Sequence, residues 1–404
     1  MIEMDCICVQ KHHQIPTEVI EVSDHAIEKV ADILKNYHRI FMVADENTYR
    51  VAGQRVEEIL RGKGILSHTM VLSAPALPNA ENVGKVLIEA GRDRAVYDIH
   101  AWSLNPDYIL AVGSGSLNDT CRMVSYRLGI PYGVVGTAPS MDGYASVVAP
   151  LLNGRKKIVY NCSIARHIII DLSVNCQAPY PLLLSGVGDM IGKYVAILDW
   201  EISRDLNGEY YCGQIAGMVL KATDQCVSAA SGLKDRDVSA IRAASEGLIL
   251  SGECIAFCGS SRPASGTEHM IGQTWEVMDV EEGKVPNLHG IEVGEGTFTA
   301  IEMFRKLYRE TEDAPVKALI EKYLPAFDRI EQLQRQLQIP FTVTDKQRYV
   351  EGILRGRTFR ERYTILQYLY DRGKLEMYAD AVYDKVMKKY CFGTFRERFP
   401  DWKS

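Results

Sequence analysis

A chain of 404 residues is longer than one small core accommodates and implies two domains, each burying substantial apolar surface. Its 46 basic and 52 acidic side chains leave a formal charge of −6, which provides no field for nucleic acid or an anionic membrane, so any anionic ligand must be held by a local arrangement. No apolar run reaches membrane-spanning length and the start, MIEMDCICVQKHH, lacks the pattern of a secretion signal, which predicts a cytoplasmic protein without membrane insertion.

Along the first half, short apolar strands alternate with helical stretches. TEVIEV (17–22), RIFMVAD (39–45), SHTMVL (67–72), DYILAV (107–112) and YGVVGT (132–137) read as strands, followed by a β-type segment around IVYN (158–161) and the apolar HIIIDL (167–172). That alternation predicts a parallel sheet covered on both faces, an α/β Rossmann-like domain over residues 1–178. From residue 179 to 404 the periodicity is helical, over 185–204, 211–232, 236–258, 266–279, 291–309 and the charged stretches beyond 313, which predicts an all-α second domain. The join at 173–181 is short, so a cleft between the domains is expected. The charges of RERYTILQYLYDRG read as the wet side of packed helices. The ten cysteines include two close pairs, Cys6-Ile-Cys8 and Cys254-Ile-Ala-Phe-Cys258, neither with a second pair at zinc-site spacing, so buried, inert, reduced thiols are expected.

Three places carry chemistry. In AVGSGSLNDTCR (111–122) a strand runs through Gly113-Ser114-Gly115-Ser116 into a helix, an arrangement that lets backbone N–H groups meet a pyrophosphate; a tight turn without a ligand fits the same residues. Asp45, ending the strand RIFMVAD, suits a ribose of a dinucleotide or a cap for the following helix. GTAPSMDGYAS (136–146) gathers Thr137, Ser140, Asp142 and Ser146 after a strand, where parallel sheets bind ligands. In the helical half Asp189, His269 and His289 offer one carboxylate and two imidazoles, a common set for a divalent ion that leaves positions open for substrate. Each histidine alone reads more readily as a hydrogen-bonded structural residue.

Taken together and in order, GSGSLND, TAPSMDGYAS, GVGDMIGKY, SRPASGTEH and HGIEVGEGT resemble the dehydroquinate synthase-like superfamily that includes the iron-containing alcohol dehydrogenases and glycerol dehydrogenases. Within it the chain is most similar to the glycerol-1-phosphate dehydrogenases, AraM-like branch, over almost its whole length. The resemblance implies that Asp189, His269 and His289 bind one divalent catalytic metal, be it zinc, nickel or iron. It implies that Asp45, Gly113, Gly115, Ser116, Leu117, Asn118, Asp119, Thr137, Ala138, Pro139, Ser140 and Ser146 contact the nicotinamide cofactor, and that Asp142 touches substrate. It further implies reversible reduction of dihydroxyacetone phosphate to sn-glycerol 1-phosphate, a part in phospholipid biosynthesis and a homodimer. Asp45 would favour NAD(H) over NADP(H), since a carboxylate repels a 2′-phosphate. Lys193 stands where iron-type alcohol dehydrogenases usually carry a further histidine ligand, and Gln273 stands where the closer relatives generally carry a substrate-contacting histidine. Lys193, one turn beyond Asp189, and Arg262 are candidate partners of the substrate phosphate, and solvated surface charge fits both as well. Other readings are an unphosphorylated-polyol dehydrogenase, a dehydroquinate synthase-type cyclase, and a metal- and nucleotide-binding protein without turnover.

Overall fold

The computed structural model describes residues 1–6, 8, 12–91 and 105–402. They form two compact units, Met1–Met4 with Gln14–Pro179, and Asp5–His13 with Tyr180–Ser404. The described residues of Asp5–His13 therefore go with the helical unit, whereas a single boundary at 178 puts them in the first domain.

Ten strands can be numbered in chain order: β1 (Ile2–Asp5), β2 (His12–Ile15), β3 (Val19–Ser23), β4 (Ile40–Asp45), β5 (Leu66–Leu72), β6 (Tyr108–Gly113), β7 (Tyr132–Gly136), β8 (Val148–Asn153), β9 (Lys156–Asn161) and β10 (His167–Asp171). Six of them make a parallel sheet in the order β3-β10-β7-β6-β4-β5. The interior strands β6, β7 and β10 are buried at every residue, which is why they read as unbroken apolar runs with no alternation. From β4 the chain passes first to β5 on one side and then to β6 on the other, so the order reverses between β4 and β6. That reversal is where open α/β sheets bind ligands, beyond the carboxyl ends of the strands. The IVYN segment lies within β9, which pairs antiparallel with β8 as a separate hairpin.

The second unit is helical throughout its main body, with principal helices Tyr180–Ile191, Lys193–Asn207, Gly213–Ala229, Val238–Cys258, Thr267–Glu281, His289–Glu310, Ala314–Leu337, Lys346–Gly356 and Leu375–Tyr390. Asp237, Asp313 and Asp345 cap three of these through their side chains, each occupying backbone N–H groups the first turn leaves unpaired. The stretch Tyr180–Asn207 corrects one reading of the sequence: it is long and apolar enough to cross a membrane, its most apolar 18-residue window having a mean hydropathy of 1.3. Its most apolar window is 94% buried inside the protein, so it is a core element.

Glycines set how three of the helices meet. A Cβ on Gly290 would lie 1.8 Å from the carbonyl oxygen of Ser185, and one on Gly188 would lie 2.0 Å from that of Gly290. A Cβ on Gly272 would come within 2.8 Å of the Glu292 carbonyl oxygen, and one on Gly296 within 2.3 Å of that of Glu268. The helices Tyr180–Ile191, Thr267–Glu281 and His289–Glu310 thus cross through bare backbone, closer than any side chain permits.

Candidate active site

Those crossings bring Asp189, His269 and His289 together from three helices, with one donor atom of each within 4.8 Å of the others. Gly188 precedes Asp189, Gly290 follows His289 and Gly272 lies three residues beyond His269, so the close approach occurs at the donors themselves. Asp189 is fully buried, His269 nearly so, and His289 retains 29% of its side-chain exposure, which leaves one side of the set accessible.

Each imidazole is oriented by a second carboxylate. His269 donates from Nδ1 to Glu268 at 2.7 Å, and His289 donates from Nδ1 to Glu276 at 2.6 Å. With Nδ1 holding the proton, the Nε2 lone pairs remain for a metal, and the carboxylates fix ring orientation and raise basicity. Nε2 of His269 faces Oδ1 of Asp189 at 3.5 Å, two acceptors that attract only when positive charge lies with them. The electrostatics agree. Burial alone would raise the pKa of Asp189, but the Lys193 ammonium and the two imidazoles outweigh it and hold the carboxyl well below its usual range. Burial would likewise lower that of His269, but Asp189 and Glu268 bring a net rise. One carboxylate and two imidazoles, converging and oriented through their far nitrogens, fit a divalent cation.

Lys193 is not where a substrate phosphate could use it. It is completely buried, with Nζ donating to Asp189 Oδ1 at 2.6 Å and to the Ala264 carbonyl at 3.2 Å, so its charge serves the carboxylate. Arg262 is also committed, through two bonds to Glu209 at 2.9 and 2.6 Å and one to the Tyr363 carbonyl. The sequence reading missed a different pair, Arg360 and Arg362, in the connection after the Lys346–Gly356 helix. Arg360 donates to Ser261 at 2.8 Å and to Gln273 Oε1 at 3.1 Å; Arg362 donates to Ser261 at 3.0 Å and to the Ser265 carbonyl. All of these acceptors are neutral. Burial lowers the pKa of Arg360, and burial with the neighbouring Arg360 and Arg262 charges pushes Arg362 down to about 9. Among the described residues no carboxylate is bonded to either of these two partly buried guanidiniums, which leaves both suited to pair an anion. Gln273, bonded to Arg360, sits four residues or about one helical turn beyond His269, about 6 Å along the axis.

In the α/β unit, β6 ends at Gly113 and the Gly115–Leu128 helix starts two residues later, with Ser114 at its N-cap. A Cβ on Gly113 would meet Leu117 at 2.4 Å and one on Gly115 would meet Met141 at 3.2 Å, so the turn is tight on both sides. Thr137 donates its N–H to the Gly113 carbonyl at 3.2 Å, which sets the Thr137–Ser140 loop beside the turn. The buried Arg122 fixes the far side, bonding Asp119 at 3.1 Å, the Tyr132 hydroxyl at 2.8 Å and the carbonyls of Gly143, Tyr144 and Val148. Asp119 is thereby a partner of Arg122, and burial pushes its pKa up to about 7. Ala138, Ser140, Asp142 and Ser146 are buried in the same loop, and Asn118 on the helix donates to the Gly143 carbonyl. Asp45 caps the next helix, accepting from the Thr48 N–H at 2.8 Å while Thr48 Oγ1 accepts from the Asp45 N–H.

The profile of the iron-containing alcohol dehydrogenase family matches residues 21–179. Glycerol-1-phosphate dehydrogenase (NAD(P)+) of Halalkalibacterium halodurans is 31% identical over 76% of this chain and 75% of its own length. The protein of the same name from Bacillus licheniformis is 30% identical over 92% of this chain and 93% of its own length. Among solved structures, glycerol dehydrogenase from Schizosaccharomyces pombe superposes with a TM-score of 0.67 at 16% identity, over 97% of this chain and 94% of that one, a likeness of fold.

Proposed function

We propose that this chain, which belongs to the glycerol-1-phosphate dehydrogenase family, reduces dihydroxyacetone phosphate to sn-glycerol 1-phosphate, reversibly, with a nicotinamide nucleotide and one divalent metal. The observation that carries the substrate class is the pair Arg360 and Arg362, bonded among the described residues only to neutral acceptors, one of which, Gln273, lies one helical turn beyond His269.

Asp189, His269 and His289 would hold the metal. When bound, the metal supplies Lewis acidity toward the carbonyl oxygen and the nicotinamide supplies the hydride. The protein's own part is positioning. Glu268 and Glu276 keep both imidazoles in one tautomer and one orientation, and Lys193 holds Asp189 ionised and in place. Arg360 and Arg362, which share the Ser261 hydroxyl, would pair the substrate phosphate, with Gln273 linking Arg360 to the helix that carries His269. Gln273 hydrogen-bonds but carries no charge and passes no proton, so in this chain the phosphate side is held by arginine and not by imidazole. The N–H groups opening the Gly115–Leu128 helix bind the cofactor pyrophosphate, with the Thr137–Ser140 loop alongside. Asp45, with one carboxylate oxygen serving as the cap, would offer the other to a ribose hydroxyl and so favour NAD(H). The enzyme works in the cytoplasm as a homodimer.

The test is to supply metal-loaded protein with NADH and either dihydroxyacetone phosphate or dihydroxyacetone, and to determine the handedness of the product. Turnover of the phosphorylated ketone to the sn-1 product supports the assignment. Equal turnover of both ketones, or the opposite enantiomer, overturns it.

A further inference from the structure

The helical unit contains a second converging donor set that shares no residue with the first. Cys6 and Cys8 come from the N-terminal segment, His13 from β2, and Cys212 from the N-cap of the Gly213–Ala229 helix. One donor atom of each lies within 4.8 Å of the other three. Cys6 Sγ is 3.4 Å from Cys212 Sγ, and Cys8 Sγ is 3.1 Å from His13 Nε2. A tetrahedral zinc about 2.3 Å from each sulfur spaces neighbouring sulfurs by about 3.8 Å, so an outward adjustment of a few tenths of an ångström makes room for the ion.

The surroundings suit thiolates. Cys6 Sγ receives the N–H of Cys8 at 3.4 Å, Cys212 Sγ receives the N–H of Ile215 at 3.5 Å, and Cys8 Sγ lies 3.2 Å from the Tyr210 hydroxyl. Each sulfur therefore has its own donor, which is what a negatively charged sulfur requires. His13 Nδ1 lies 2.6 Å from the Phe257 carbonyl, a group that only accepts, so the proton is on Nδ1 and the Nε2 lone pair faces the sulfurs. His13 and Cys212 are buried, and Tyr210 is itself fixed by Trp200 Nε1 donating to its carbonyl at 2.6 Å. Cys258, close by in sequence to Phe257, is engaged instead with Ser260.

We propose that Cys6, Cys8, His13 and Cys212 form a closed, four-coordinate structural zinc site that fastens the N-terminal segment to the helical unit. Three sulfurs and one imidazole leave no position for substrate, which separates this site in kind from the carboxylate and imidazole set. The arrangement also explains why Asp5–His13 goes with the helices although the chain on both sides of it belongs to the sheet unit.

The experiment counts zinc in full-length protein purified under reducing conditions, by elemental analysis and by dye-detected release during titration with an organomercurial. A His269→Ala/His289→Ala variant, which lacks the other donor set, is expected to retain one zinc per chain, released only as thiols are blocked. The same variant carrying Cys8→Ser is expected to fall at least tenfold in retained zinc. Wild-type protein loaded with cobalt(II) gives a readout independent of any cysteine variant's folding: intense thiolate-to-cobalt charge transfer and tetrahedral ligand-field bands are expected. No retained zinc in the double-histidine variant overturns the proposal, as does equal retention after Cys8→Ser or a cobalt spectrum without thiolate bands. A Cys6–Cys212 disulfide found by non-reducing peptide mass analysis of freshly purified protein overturns it as well.

Discussion

The two ends of the chemistry are built differently. The glycine turn after β6 is made by residues adjacent in sequence and offers a ligand its backbone; the donor set of the helical unit is made by side chains from three helices that meet only because glycines remove the atoms between them. A local turn tolerates adjustment because its neighbours are flexible side chains. A backbone crossing does not, since nothing nearby can rotate away.

Paired substitutions break this comparison most directly. Gly290→Ala puts a methyl 1.8 Å from the Ser185 carbonyl oxygen, and overpacking of about 1–3 kcal/mol or more is expected, with loss of metal occupancy and of nearly all activity. Gly113→Ala puts a methyl against the movable end of Leu117, so a rise in the KM for NADH is expected while the metal content stays unchanged. Equal metal loss in both variants would contradict the distinction. Next in size is Glu276→Gln, which leaves His289 in place but weakens its orientation; metal affinity, measured by competition with a chelating dye, is expected to fall about 10–100-fold.

Arg360→Met sharpens the substrate side. Bonds to a charged group contribute about 1.5–3 kcal/mol, so kcat/KM for dihydroxyacetone phosphate is expected to drop about 10–100-fold, with that for dihydroxyacetone nearly unchanged. The pH dependence follows from its neighbour. Arg362 is a base whose folded-state pKa is lowered to about 9, so it is charged below that pH and neutral above it. The kcat/KM for the phosphorylated ketone, which reports the free enzyme, is therefore expected to decline as pH rises through about 9, and the ratio to the unphosphorylated ketone with it. The smallest change is Asp45→Asn, which keeps a capping oxygen for the Thr48 N–H: stability measured by thermal melting is expected to move by only a few tenths of a kcal/mol, while discrimination against NADPH weakens.

Legibility in the sequence tracks this same division between local and distant. The strand runs, the glycine turn and the switch to helical periodicity near 180 were readable because each depends on residues a few positions apart. Placement of Lys193 near Asp189 was readable from their four-residue spacing, but its orientation was not: burial by surrounding helices turns the ammonium onto the Asp189 carboxylate and the Ala264 carbonyl. Arg360 and Arg362 read as solvated helix charges because their partners Ser261, Ser265 and Gln273 lie some 87 to 101 residues earlier. The cysteines read as inert for the same reason, since Cys212 is 206 residues from Cys6 and no spacing rule joins them. Tyr180–Asn207 shows the converse: composition alone qualifies it as a membrane span, and only packing identifies it as core.

The contact between Gly290 and Ser185 bears on how such an enzyme can be re-engineered. Because two main chains touch there, substitutions near it trade against the architecture as a whole, and a change of specificity sought at positions 188, 272, 290 or 296 will be lost to misassembly. The connection carrying Arg360 and Arg362 meets the rest of the unit through side-chain ends, so variation of the accepted ketone can be explored there while the helical scaffold stays as it is.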